Sequence, residues 1–288
     1  MAVYKRKFQP YEGALTDPRF RFFVLSRYAF SRLFHSKLFA TFFVACFIGP
    51  AVGAILIYLH YNTLGLKVIG QAVKDLLPIN ADFFLGFLGI QTGLGMFITV
   101  FIGPGLIAPD LTNNALPLYL SRPFTRTEYV LGKMIVLVAL LSVVTWVPLL
   151  LLFAFQGSLA GVGWMVDNLH IAFAVWVGSW AWILVLALLA LALSAWVKWR
   201  PVAGFLILGF FMVSAGFAEW INAMLDTRWG SLINPSVLLK ILWDALFNVM
   251  NSRPDVPVAV AVVALAAHCL VFLYMLARRI RAYEVVRT

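Results

Sequence analysis

Six stretches of the chain run about 20 or more residues almost without charge, and the segments between them are short, basic or helically periodic. The apolar stretches are 38–59, 83–107, 129–155, 171–197, 202–224 and 257–277. At 1.5 Å of rise per residue each is long enough to cross roughly 30 Å of hydrocarbon as a helix. Between residues 20 and 37, Phe23, Phe30 and Phe34 fall on one side of a helix and Arg21, Arg32 and His35 on the other, with Phe22, Leu25 and Leu33 blurring the division. That pattern predicts an interfacial helix ahead of the first span. A second stripe, Leu66, Ile69, Val73, Leu76 and Leu77, predicts a short amphipathic helix between the first two spans. Further on, Asn234 and Pro235 read as N-cap and first helical residue, followed at helical spacing by Leu238, Ile241, Leu242, Ala245, Leu246 and Val249. A seventh span there would place Lys240 and Asp244 in mid-membrane, at a cost of roughly 2.5–3.5 kcal/mol each. The pattern predicts an outer amphipathic or re-entrant helix instead.

Composition agrees with that solvent. Of 288 residues 63% are hydrophobic and 12% charged, against about 25% charged in globular chains. The predicted fold is therefore an all-α polytopic membrane protein with six transmembrane helices: a tail at 1–37 carrying the interfacial helix, a transmembrane domain at 38–278 and a tail at 279–288. The first apolar run follows a long basic, aromatic stretch without a small-residue cleavage site, and is expected to be retained as a span. Orientation follows from the basic residues, which resist translocation. With the N-terminus inside, 17 of the 22 Lys and Arg lie in inner segments, leaving Lys67, Lys74, Arg228, Lys240 and Arg253 outside. Both termini are expected on the cytoplasmic side of the inner cell membrane. The same distribution accounts for the net charge of +10 through anionic lipid headgroups, and no motif points to nucleic acid.

Chemistry within the spans is sparse. His35, His60, His170 and His268 sit in four separate segments and no HExxH occurs, giving no expected metal site. Cys46 and Cys269 read as packed thiols. Gly132 and Lys133 lack the upstream glycine and the following Ser or Thr of a phosphate-binding loop. No cofactor is expected in this chain, which is not expected to be an enzyme. The pairs Gly49/Gly53 and Gly89/Gly93 have the spacing for close helix approach. Glu219, an acid within the fifth span, is a candidate for a substrate path.

The most structured polar stretch is an inner loop, "LSRPFTRTEYVLGK", residues 120–133. Thr125 through Glu128 fit a capping box, with Phe124 and Tyr129 at staple spacing, so a helix is predicted to start near Arg126. Upstream, "DLTNNALPLY" places apolar Leu116, Leu118 and Tyr119 among Asp110, Asn113, Asn114, Arg122 and Arg126, an apolar centre with a polar rim. The loop has no glycine between Gly105 and Gly132, so it is suited to pass on a push instead of absorbing it.

Six spans, an interfacial first helix, a lidded outer loop and this inner loop together resemble an ABC type-2 permease, the specific part being 110–133: acid, short helix, "RP", hydroxyl, basic residue, aromatic, "GK". The resemblance implies the membrane subunit of an exporter, working as a homodimer or pseudo-dimer with two copies of a separate ABC ATPase subunit that binds the ATP and Mg. It implies that 112–119 is the coupling helix resting on that ATPase, with Thr112, Asn113, Asn114, Leu116, Leu118 and Tyr119 as docking residues. Arg122, Thr125, Arg126, Glu128 and Lys133 would form the joint to the third span. Pro117 departs from the pattern by interrupting the docking helix. A non-transporting scaffold, sensor or channel subunit is the alternative, and a membrane-embedded enzyme has the least support because Asp75, Asp82, Asp110 and Asp167 are scattered.

Overall fold

Helices account for nearly all of the structure, a computed structural model described here for residues 21–62, 78–113, 115, 125–249 and 256–280. In chain order they are α1 (Arg21–Phe34), α2 (Lys37–Ala45), α3 (Ile48–Tyr61), α4 (Ala81–Ile102), α5 (Pro104–Thr112), α6 (Arg126–Val144), α7 (Trp146–Ala160), α8 (Val162–Asp167), α9 (Leu169–Trp196), α10 (Arg200–Leu225), a 3-10 turn (Trp229–Ile233), α11 (Pro235–Leu246) and α12 (Val258–Arg279). The pairs α2/α3, α4/α5 and α6/α7 each run on through a bend, so among the described residues six helices are long and apolar enough to cross a membrane. These coincide with the six apolar stretches of the sequence. The stripe at 66–77 lies outside the described residues.

Proline sets the bends, and buried polar side chains repair them. Pro50 has no N–H for the carbonyl of Cys46 four residues earlier, and the second span's buried Gln91 donates its Nε2 to that oxygen at 3.2 Å. At the bend between α4 and α5, Ser194 of α9 takes three bonds at once. Its hydroxyl accepts from the backbone N–H groups of Ile107 and Ala108, each at 3.1 Å, and donates to the carbonyl of Pro104 at 3.1 Å. Unmet backbone groups in hydrocarbon are costly, so Ser194→Ala is expected to lower stability by about 1–3 kcal/mol. Thermal unfolding in detergent checks this, and an unchanged midpoint would show that the bend holds without the hydroxyl.

The fourth span, α9, is the hub. In its most apolar window 72% of residues are buried, against 17% for α12, which places α9 at the centre and α12 at the margin. Small residues such as Ala174, Gly178, Ala187 and Ala190 let neighbouring helices approach it. Glycine packing divides differently from the sequence pattern. A Cβ at Gly53 would lie 3.0 Å from Leu152 and 3.2 Å from Phe87, so this pair does mark a helix contact, whereas Gly89 and Gly93 meet nothing within 4 Å. The close approach on the second span is instead at Gly95, where a Cβ would lie 2.7 Å from the Trp182 ring.

At the end of the bundle opposite α1, α11 packs between α9 and α12. Asn234 caps it, accepting from Ser236 N–H at 3.0 Å. Leu238, Leu239 and Ile241 are buried, Lys240 is exposed, and Trp243 donates its indole N–H to the Gly178 carbonyl at 3.1 Å. Burial raises the pKa of Asp244, an effect that Lys240 one turn earlier opposes.

Candidate functional site: the joint between the second and third spans

The capping box forms as its sequence predicts. Thr125 Oγ1 accepts from Glu128 N–H at 3.2 Å, and Glu128 Oε2 accepts from Thr125 N–H at 2.7 Å and from the Thr125 hydroxyl at 2.9 Å. Helix α6 therefore starts at Arg126, with its first turn held from both directions.

One turn further on, α6 presents Tyr129 and Lys133 on a single face, as residues four apart must be. Both reach one oxygen of Asp110 on α5. Lys133 Nζ lies 2.8 Å from Asp110 Oδ2 and the Tyr129 hydroxyl donates to the same oxygen at 2.7 Å. The Lys133 ammonium also sits 5.5 Å from the Tyr129 ring centroid, within range of a cation–π attraction. Tyr129 is fully buried, and the Lys133 and Asp110 side chains are only 11% and 16% exposed. The last turn of the second span and the first turns of the third are thus clamped together, with the intervening loop held at both ends. Sequence analysis placed Asp110 and Lys133 at the ends of one motif and gave Tyr129 the role of a staple. The structure adds that Tyr129 is a hydrogen-bond donor to Asp110; its four-residue spacing from Lys133 was the available signal.

Gly132 has a separate task. Ser26 of α1 donates to the Gly132 carbonyl at 2.7 Å, and a Cβ at position 132 would lie 2.9 Å from the Phe22 carbonyl oxygen and 3.3 Å from Leu25 Cβ. Helix α1 docks on α6 at the one residue of α6 without a side chain. Its packed side shares only Phe30 with the predicted aromatic side: Leu25, Ser26, Ala29, Phe30 and Leu33 face the protein, while Phe23 and Phe34 are 48% and 44% exposed. Leu25 and Leu33, which blurred the amphipathic pattern, are among the residues that meet protein.

Of the predicted docking residues, Thr112 closes α5, its hydroxyl bonded back to the Ala108 carbonyl at 2.8 Å, and Asn113 is the C-cap, donating its N–H to the Pro109 carbonyl at 3.0 Å. The chain turns at once, since Ala115 N–H reaches the Asp110 carbonyl at 2.8 Å. Asn114, Leu116, Leu118, Tyr119 and Arg122 lie outside the described residues, as does Pro117. Arg126 is exposed at the start of α6. Glu219 is exposed on α10, far along the chain from this joint and not brought to it. Missing from the sequence reading were Ser26 and Ser194, whose signal was a hydroxyl in an apolar helix face.

Comparison with curated proteins finds no match to the chain. A family model described as "ABC-2 family transporter protein" matches residues 24–281, a stretch that includes most of α1, all six spans and the clamped joint. With so much of its length covered, and with six spans arranged as described, this multi-pass membrane protein belongs to the ABC-2 family of transporter permeases.

Proposed function

We propose that this chain is the membrane-spanning subunit of an ATP-driven exporter, that two copies assemble, and that two copies of a separate ATPase subunit bind ATP and Mg and dock on the loop between the second and third spans. The observation that carries this reading is the buried clamp of Asp110, Tyr129 and Lys133. A force applied to the loop is delivered to two spans at once, because neither loop end can shift without breaking a charge-assisted contact. The sequence's charge bias, with 17 of 22 Lys and Arg in the segments that an inside N-terminus makes inner, supports placing this loop on the cytoplasmic side, where an ATPase would meet it. The apolar residues Leu116, Leu118 and Tyr119 supply the chemistry of an interface centre.

Leu116→Asp and Tyr119→Asp are expected to leave the membrane subunit folded and to weaken capture of the ATPase in detergent. Arg126→Ala at the rim is expected to have the smaller effect, since an exposed charge contributes about 0–1 kcal/mol. Pull-down of the ATPase, run beside size exclusion of the membrane chain, measures both. Full recovery of the ATPase with both aspartate variants would remove the loop as the docking element.

A further inference from the structure

At the basic end of the bundle, a cavity of about 770 Å³ opens between α1, the start of α2 and the bend from α4 to α5. Its wall combines two chemistries. The apolar part includes Leu33, Phe39, Phe42, Phe101 and Leu106. The charged part is Asp110 with Lys133, plus Arg32 and Arg200. Asp110 and Lys133 neutralise one another at 2.8 Å, which leaves the two arginines to set the sign of the site. Both are exposed, and among the described residues the ion pair formed is Asp110 with Lys133, not one involving either arginine. Two guanidinium groups beside a floor of phenylalanine and leucine suit a ligand with an anionic head and a hydrocarbon tail, because the guanidinium fork matches phosphate oxygens. A free phosphate would use the arginines and leave the apolar floor wet.

Gly105 gives a second, independent indication. It lies inside α5 and lines the cavity, yet a Cβ built on it meets nothing within 4 Å. Glycine inside a helix is less stable than alanine, and here neither a close neighbour nor a positive φ calls for it. What a side chain at this position would change is the open volume itself. The α1 wall of the cavity is in turn fixed to α6 through Ser26 and Gly132.

We propose that this cavity binds an anionic phospholipid of the adjoining leaflet, with its phosphate between Arg32 and Arg200 and an acyl chain over Phe39, Phe42 and Phe101. The site does not depend on the ATPase reading, because it needs only this chain in a bilayer or detergent. The test titrates the full chain, purified and delipidated in a non-ionic detergent, with phosphatidylglycerol carrying a fluorescent acyl chain, read by polarisation. Unlabelled phosphatidylglycerol is expected to compete at least about tenfold better than phosphatidylcholine, and millimolar inorganic phosphate is expected not to compete. Arg32→Gln with Arg200→Gln is expected to weaken binding about tenfold or more, while Arg278→Gln, in the last turn of α12, leaves it unchanged. Gly105→Leu is expected to keep the thermal midpoint and abolish binding, which decides the matter even if the arginine variant does not fold. Equal competition by the two lipids, competition by phosphate alone, or wild-type binding by a folded Gly105→Leu protein would each overturn the proposal.

Discussion

Lys133→Ala is expected to cost about 3–5 kcal/mol of stability, the range for removing one member of a buried ion pair. The reason lies on the other side of the pair. Asp110, 16% exposed, would be left with the Tyr129 hydroxyl at 2.7 Å in place of its ammonium partner. Removing both charges together is expected to be milder. In Asp110→Asn with Lys133→Met the amide oxygen can still accept from Tyr129, and the methionine occupies much of the lysine stem's volume without leaving a buried charge. Thermal unfolding of the two single variants and the double variant gives the coupling directly. If the double variant is as unstable as the sum of the singles, the two side chains act independently and the clamp does not exist. In the assembled transporter the same Lys133→Ala protein is expected to retain ATPase capture while losing the link between hydrolysis and transport, because the docking surface lies in the loop and the clamp behind it.

A larger side chain at Gly132 is expected to expel α1. A Cβ there already lies 2.9 Å from a backbone oxygen of α1, and backbone cannot rotate away as a side-chain end can. Gly132→Leu would add overpacking of about 1–3 kcal/mol and break the Ser26 hydrogen bond, a further contribution near 1 kcal/mol. The combined loss of about 2–4 kcal/mol is concentrated on a helix of 14 residues. A reporter follows from burial: Ser26 is 2% exposed. With Cys46 and Cys269 replaced, Ser26→Cys is expected to resist a thiol reagent in the parent protein and to label readily when Gly132→Leu is added. Equal protection in both would mean that the membrane surface, not α6, positions α1.

Much of this architecture is legible in the sequence because the bilayer enforces it locally. A helix satisfies its own backbone, so an apolar run of sufficient length is a span wherever it falls, and each of the six appears within a few residues of its predicted bounds. The capping box at Thr125 and the cap at Asn234 are likewise contacts between residues two or three apart, and both form. The aromatic stripe of α1 was the exception among local patterns. Its polar and apolar sides were judged against water and lipid, whereas α6 presents a third surface that accepts Leu25 and Ser26.

What only the tertiary structure decided are contacts across large separations in the chain. No periodicity relates Gln91 to the carbonyl freed by Pro50, Ser194 to the bend at Pro104, or Ser26 to Gly132, residues that lie 45, 90 and 106 positions apart. Small-residue spacing could not separate Gly53, which meets Leu152, from Gly89 and Gly93, which meet nothing, since spacing reports a helix face and not what lies opposite it. The motif ending in "GK" shows both limits. Its residues stood together in the sequence, but the fold divides their work: Gly132 admits a helix from earlier in the chain, and Lys133 closes an ion pair with the end of another span. Local hydrogen bonding and hydrophobic length determine where helices begin and cross, and helix packing alone determines which polar groups are left for a distant partner to satisfy.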